Sequence, residues 1–364
     1  MHLRPFLLDQ WLARFAGADV PYNLAGSTGP PWTVEELVGL EADAERRLLE
    51  STVAYQPAAG RPQLREAIAR MQGVPLDEII VTAGGSEALF HAFFLAAAPQ
   101  ANVIVPFPAF PPYHAVPAAL GIEVRGYHID RENDYRLDLD RIKALTDANT
   151  RLIVVNSPHN PTGAAFDEAE MRALHDFAAS RNVQLICDEV FHPIYHGPPQ
   201  PSASMLPQAT VIGDLSKAFA LPGLRIGWIR EPDAERRAQY LNAREYLSIS
   251  NTIAGELLAE IAVRHRYRVQ GRTQAAVDAN LPVLDQFMRE KHDQLDWLRP
   301  AGGTTTFVRF KHVANTRPFC ESAAAHGLLL TPGDCFDVPD HVRIGYGVEP
   351  RVFCGAMRRF AELV

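Results

Sequence analysis

Val211-Ile212-Gly213-Asp214-Leu215-Ser216-Lys217-Ala218-Phe219-Ala220-Leu221-Pro222-Gly223-Leu224-Arg225-Ile226-Gly227-Trp228 is the stretch from which the fold is read. The apolar run from Thr210 to Ile212 has the composition of a buried strand. A polar turn follows and carries Lys217. Pro222-Gly223 then breaks the chain, and a second apolar strand begins at Leu224. One amine is thereby set at the end of a strand, in a loop held between two buried elements. Desolvation disfavours the ammonium form, and a neutral amine can form an imine with a carbonyl. A solvated lysine at a loop end has the same local sequence, so the rest of the chain has to decide.

The 364 residues are 47% hydrophobic and 21% charged, a soluble globular composition with ample chain to bury a core. This length predicts one large domain and a smaller one. A formal net charge of −8 without a long basic run argues against nucleic acid or an anionic membrane surface as partner. No apolar stretch reaches the roughly 18–20 residues that span a bilayer, and the first residues lack a signal-peptide core. Cys187, Cys320, Cys335 and Cys354 are scattered, without a C-x-x-C. Neither a metal site nor a disulfide framework is expected, and a cytoplasmic protein with reduced thiols is.

In chain order, residues 1–32 read as an arm. Leu7, Leu8, Trp11, Leu12 and Phe15 recur at helical spacing, and a loop from Tyr22 to Pro31 follows. Thr33 and Glu36 form a capping box for a helix to Leu49. Strands are expected at 78–82, 101–105, 123–128, 151–155, 183–187, 210–212 and 224–229, with helices between most of them. Near-continuous Val/Ile/Leu strands with helical crossovers predict a mainly parallel seven-stranded sheet sandwiched by helices. Sites in such sheets lie beyond the carboxyl ends of the strands. Gly84–Ser86, Asn160, Asp188 and Lys217 all fall there. Past about Glu235 long helical patterns take over, with one over 254–295 broken near Pro282. Strands at 305–310 and 341–345 and a last helix over 350–363 complete a smaller α+β domain. The expected division is an arm over 1–32, a large domain over 33–240 and a small one over 241–364.

Four further motifs sit on that rim. Gly84-Gly85-Ser86 joins a strand to a helix N-terminus, where free amides, the positive helix end and a hydroxyl suit an anion; an ordinary N-cap serine reads the same way. The chain lacks the glycine-rich fingerprints of dinucleotide and P-loop sites. Pro106-Phe107-Pro108-Ala109-Phe110 holds aromatics at the rim, and Phe110 can stack on a flat ring. In Asn156-Ser157-Pro158-His159-Asn160-Pro161-Thr162-Gly163, Asn160 can donate to a ring oxygen or simply form the turn. Asp188 ends a hydrophobic strand, where a carboxylate requires a cation partner.

These motifs, in this order, resemble pyridoxal-phosphate enzymes of fold type I, and specifically the class I/II aminotransferase family, from about Tyr22 to Arg343. The resemblance implies pyridoxal 5'-phosphate as cofactor, with Lys217 forming the internal aldimine and acting as acid and base. It implies that Asp188 keeps the pyridine nitrogen protonated, Asn160 donates to the phenolic oxygen and Phe110 stacks on the ring. Gly85, Ser86, Ser216 and Arg225 match the phosphate cup. Tyr55 matches a tyrosine that reaches the neighbouring subunit's phosphate, which implies a homodimer with shared sites, and Ser248 or Ser250 is expected to join that cup. Arg343 matches the clamp on the substrate α-carboxylate. Gly26, Ser27, Asn160 and Asp214 are further candidates for substrate contact, and the arm is expected to shape side-chain specificity.

Two positions depart from the family pattern. Phe191 stands where a tyrosine usually donates to the phenolic oxygen. Asp214 stands where a serine usually lies near the phosphate. A carboxylate is repelled there, so Asp214 is expected to turn toward a cation, either an arginine of the chain such as Arg225 or the side chain of a basic substrate. Asp214-Leu215-Ser216-Lys217 resembles a branch of the family in antibiotic pathways that acts on arginine, including capreomycidine synthases and arginine oxidases. The expected activity is transfer of an amino group between an α-amino acid and a 2-keto acid. The alternatives are a β-lyase, or a cyclase or oxidase of arginine or a related basic amino acid. A ligand-sensing regulator on the same fold is disfavoured, since such regulators add a DNA-binding domain.

Overall fold

The computed structural model describes residues 2–16 and 20–364. Residues 1 and 17–19 of the expected arm lie outside the described residues. Seven strands form one sheet in the spatial order Ile79–Thr82, Gly227–Arg230, Thr210–Asp214, Gln184–Asp188, Thr150–Asn156, Asn102–Phe107, Glu123–His128. Every neighbouring pair is parallel except the two made by Gly227–Arg230, which runs antiparallel to both its neighbours. A parallel return needs a crossover, usually a helix. The segment from Leu215 to Ile226 forms only a 3-10 turn at Pro222–Leu224, so the chain comes back antiparallel. The Lys217 loop is thus a short connection at one end of the sheet.

Alternate residues of each strand face opposite sides. Val103, Val105, Leu152, Val154, Ile186 and Ile212 pack with Phe93 of the Gly85–Ala96 helix. Ile104, Ile153, Val155, Leu185 and Val211 pack with Leu174 and Ala178 of the Glu168–Ser180 helix. Both faces are covered, which is why the strands read as continuous apolar runs.

A second sheet has the order Thr331–Pro332, His341–Gly345, Thr305–Phe310, Leu295–Asp296, antiparallel throughout. The Pro350–Leu363 helix covers it, with Phe360 stacked on Phe287 at 4.9 Å. The expected mainly parallel seven-stranded sheet with a smaller α+β part is the architecture observed. The helix Ile253–Arg264 packs on Pro62–Gln72 of the large part, although it follows the expected division at 240/241.

Two helical readings change. The stretch from Thr33 to Leu49 forms two short helices, Val34–Val38 and Ala44–Leu49, because Gly39 caps the first; the Thr33/Glu36 capping box is present. The long pattern breaks at His265, and Arg266–Glu290 runs unbroken through Pro282. Proline in a helix interior leaves the carbonyl four residues before it without a donor. Here Pro282 and Asp278 are both exposed, so water can serve that carbonyl. Buried Asn280 meanwhile pins the helix by donating to the carbonyls of Tyr346 (2.9 Å) and Val348 (2.7 Å).

The arm forms a helix, Leu7–Arg14, with Leu8 and Trp11 buried. Trp11 Nε1 donates to the Leu330 carbonyl at 2.8 Å, and the Arg317 guanidinium lies 5.2 Å from its ring. Tyr22–Asn23 pairs with Leu328–Leu329, and the amide of Gly345 donates to the Leu24 carbonyl at 2.7 Å. A Cβ on Gly345 would lie 2.0 Å from the Gly26 carbonyl oxygen, so the close pass of this loop requires glycine there. Trp11→Ala removes the arm's one large buried side chain. The arm is expected to lose about 3–5 kcal/mol of local stability. Limited proteolysis should then cut within the first thirty or so residues while the sheet stays folded; an arm as protected as in the wild type would contradict this.

Candidate active site

The carboxyl ends of the strands and the loop after Tyr22 enclose a cavity of about 420 Å³. Gly26, Ser27, Gly85, Ser86, Phe110, Asn160, Asp188, Asp214, Ser216, Lys217, Arg225 and Arg343 all line it. Tyr55 does not; it is 83% exposed on a loop without regular structure. Ser248 and Ser250 also lie outside the cavity lining. Ser250 Oγ accepts from the Gln56 amide at 3.3 Å, beside Tyr55, whereas Ser248 Oγ is buried without a partner.

Lys217 is half-buried, and its Nζ donates to Ser27 Oγ at 2.8 Å. Burial lowers its pKa to about 8, opposed by the Asp214 carboxylate and assisted by the cations of Arg343 and Arg225. A usable fraction of neutral amine therefore exists near neutral pH. Asp188 is held by two donors, Tyr113 Oη at 2.6 Å and the Val190 amide at 3.1 Å. No cation lies against it among the described residues. Burial raises its pKa to about 7; the Tyr113 and Val190 hydrogen bonds pull it down, and Asp214 and Glu189 push it up.

The Asn156 amide donates to the Asp188 carbonyl at 3.0 Å and accepts from the Asn160 amide at 2.8 Å, which ties the turn to the strand end. Arg343 comes from the smaller sheet and is fully buried. Its Nη1 donates to Asn160 Oδ1 at 3.1 Å and its Nη2 to the Ala25 carbonyl at 2.6 Å, while Nε has no partner. No carboxylate within 4.0 Å neutralises it among the described residues. Asn160 Oδ1 is thus occupied, which leaves Nδ2 as its donor end. Phe191 is buried against Gly303 and offers no hydrogen-bond donor.

Gly84 has a φ of +82°, and a Cβ there would lie 2.5 Å from Arg225 Nη2. Glycine is what lets the guanidinium close over this turn. Beneath it, buried Arg244 donates to the carbonyls of Ala58 (2.7 Å) and Ile249 (2.9 Å) and bonds to the Asn251 side chain. Asn251 Nδ2 donates in turn to the carbonyls of Thr82 (3.0 Å) and Arg225 (3.3 Å). The cup is therefore fixed from below by a polar network.

Asp214 corrects one expectation. It does not turn to an arginine: among the described residues it makes no ion pair within 4.0 Å. Its Oδ1 accepts from the Ser216 amide at 2.8 Å and its Oδ2 faces the Gly85 amide at 3.4 Å. It lies inside the cup.

Sequence reasoning missed Tyr113, the main partner of Asp188. Its signal was an aromatic one helical turn after Phe110. It expected the arm to shape specificity and named Leu8 and Leu12 only as a helix face; with Phe6 and Asp9, which it did not name as candidates, they line the cavity, and Phe6 meets Phe110 edge-on at 5.7 Å.

Comparison with known proteins agrees with this geometry. The model of the aminotransferase class I and II family matches residues 27–359. The capreomycidine synthase of Streptomyces vinaceus is 33% identical, over 93% of this chain and 88% of its own. A probable aspartate/prephenate aminotransferase of Thermus aquaticus is 30% identical, over 87% and 85%. The crystal structure of a PLP-dependent aminotransferase from Streptococcus suis superposes with a TM-score of 0.93 at 26% identity, covering 100% of this chain and 98% of that one. With a lysine at a strand end, an acid across the cavity and an anion cup beside them, the chain belongs to the pyridoxal-phosphate-dependent class I and II aminotransferase family.

Proposed function

We propose that this protein transfers an amino group between an α-amino acid and a 2-keto acid. The observation that carries the reading is the pairing of a half-buried amine, Lys217, whose pKa is depressed, with a buried acid, Asp188, that makes no ion pair among the described residues. The donor set fits pyridoxal phosphate. Gly85, Ser86, Ser216 and Arg225 would hold the phosphate, Phe110 would cover the ring, Asn160 Nδ2 would donate to the phenolic oxygen and Asp188 would face the ring nitrogen. Bound there, the cofactor supplies an aldehyde that condenses with amines and a ring that accepts an electron pair.

The chain's own groups do the rest. Asp188, kept rigid by Tyr113 and Val190, holds a proton on the ring nitrogen. Arg343 binds the α-carboxylate, with its free Nε and a fork that no acid among the described residues matches. Lys217 Nζ takes the proton from the substrate Cα and returns it, serving first as base and then as acid. Ser27 Oγ, 2.8 Å from Nζ, orients that amine. The arm helix closes the cavity and limits water.

A second reading is favoured by Asp9 and Asp214, two acids that line the cavity, and by the similarity to the capreomycidine synthase. A cationic side chain such as a guanidinium would suit them, with cyclisation, elimination or oxidation in place of transfer. No helix among the described residues is long and apolar enough to cross a membrane.

We also propose a homodimer. Val53, Tyr55 and Tyr246 are 94%, 83% and 88% exposed, and Leu49 and Leu247 are exposed as well. A surface this apolar is the mark of an interface. The contact between Gln56 and Ser250 brings the Tyr55 loop to the turn after Leu247, so both would face the partner's cup.

Three outcomes are expected. Lys217 captures aldehydes as the neutral amine, and its pKa is depressed. The rate of pyridoxal phosphate uptake should therefore rise with pH through a midpoint near 8, not above 10, and Lys217→Ala should show no absorbance band of covalently bound cofactor. A band that survives in the variant would defeat the assignment of the lysine. In a stopped half-reaction, an amino acid donor should convert that band to pyridoxamine phosphate and release one keto acid. Ammonia release or oxygen uptake, above all with arginine, would favour the second reading. Mixing Lys217→Ala with Tyr55→Ala subunits should restore activity that neither variant has alone. No recovery after verified subunit exchange would count against shared sites.

A further inference from the structure

We propose that Asp214 couples the phosphate cup to a proton: the cup takes the cofactor's phosphate together with one proton, held between the Asp214 carboxylate and a phosphate oxygen. The inference rests on the pyridoxal phosphate reading above and deepens it.

The argument starts from where the carboxylate lies. Asp214 ends its strand, is 8% exposed and faces the first turn of the Gly85–Ala96 helix, its Oδ2 3.4 Å from the Gly85 amide. Its Oδ1 is fixed by the Ser216 amide at 2.8 Å, so the side chain is anchored in place. A Cβ on Gly85 would sit 3.5 Å from Oδ2, which shows how closely acid and cup adjoin. Gly85, Ser86 and Ser216, the groups that suit a phosphate, therefore already surround a fixed negative charge.

The charges around Asp214 come from every element packed on it. Arg225 lies across the cup from the turn after Pro222, and Lys217 follows in the same loop. Asp188 faces it from the neighbouring strand, and the Asp214 carboxylate helps to push the Asp188 pKa up. Glu87, in the first turn of the helix, adds a further negative charge, bonded to the Ala83 amide and offset by Arg244 below. Arg343, from the smaller sheet, lines the same cavity but is turned to Asn160 and the Ala25 carbonyl. Once Lys217 is neutral, Arg225 and the helix N-terminus are the positive charge left in the cup for both Asp214 and a phosphate dianion. That is too little for two anions in contact. One proton removes the repulsion and replaces it with a short charge-assisted O–H···O bond. A phosphate monoester takes up its second proton at about pH 6, so this proton is cheaply gained near neutrality. It comes from solvent on binding and returns to solvent on release, with no other bond changed.

The consequence is that the cup holds its cofactor less well as pH rises. Pyridoxamine 5'-phosphate is the suitable probe because it carries no carbonyl for Lys217. Its affinity is measured by calorimetry between about pH 6 and pH 9 for the wild type, Asp214→Ser and Asp214→Asn. All three are compared in a Lys217→Ala background, because Asp214 raises the lysine's pKa and its loss would move that titration too; the difference between profiles then isolates Asp214. The wild type should lose affinity relative to both variants by about tenfold per pH unit above neutrality, as linkage to one proton requires. The phosphorus resonance of the bound probe should stay in the monoanion range in the wild type at pH 8 and move to the dianion range in both variants. Parallel pH profiles, or weaker binding by both variants at pH 9 when circular dichroism shows them folded, would overturn the proposal. A wild type that binds neither pyridoxal nor pyridoxamine phosphate at any pH would overturn the cofactor reading as well; binding with parallel profiles would overturn this inference alone.

Discussion

A carboxylate at the end of a buried strand, with no cation beside it, is the constraint on which this structure depends. Asp188 is reached by two hydrogen-bond donors and by no positive side chain among the described residues. Burying an ionised acid is costly unless it is paired, and folding alone gives no reason to keep one here. The surrounding residues make sense as a frame for a missing positive partner. Tyr113 fixes one oxygen, the Val190 amide fixes the other, and Asn156 braces the carbonyl behind. A protonated ring nitrogen completes the set.

Arg343 shows the same logic from the opposite side. It is a buried cation without an anion, and it comes from the smaller sheet. Its two hydrogen bonds, to Asn160 of the large part and to the carbonyl of Ala25 in the arm's loop, join three regions at the cavity. A substrate carboxylate bound there, as proposed, would tie the smaller part and the arm to the rim of the sheet. The arm helix, held to the Leu330 carbonyl through Trp11, closes over the same space. Binding and enclosure would thereby be one event, and would keep water from a site whose electrostatics depend on low dielectric.

Much of this was legible in the chain. Strands buried on both faces leave unbroken apolar runs, and most of the seven were visible for that reason, the half-exposed edge strand Glu123–His128 being the exception. Asn160, Asp188 and Lys217 could be found because a strand that ends in a polar residue puts it on the rim. Helix limits were less legible. The break at His265 carries no proline or glycine, whereas Pro282 carries the expected signal and no break, because exposure of Asp278 and Pro282 relieves the cost. Tyr113 was hidden by its ordinariness: an aromatic near a helix start reads as core, and its hydroxyl matters only through a partner 75 residues away.

The sequence by itself determined the sheet, the order of the rim motifs and the amine at their centre, since these follow from local patterns of burial and from residue types at strand ends. It did not determine which charges meet. Whether Asp214 turned to an arginine or into the cup depended on side chains from the Gly85 helix and the Ser216 turn, brought together only by packing. The same holds for the unpaired fork of Arg343 and for the arm's place in the cavity wall. Electrostatics act through distance in space, and those distances were decided by the tertiary structure alone.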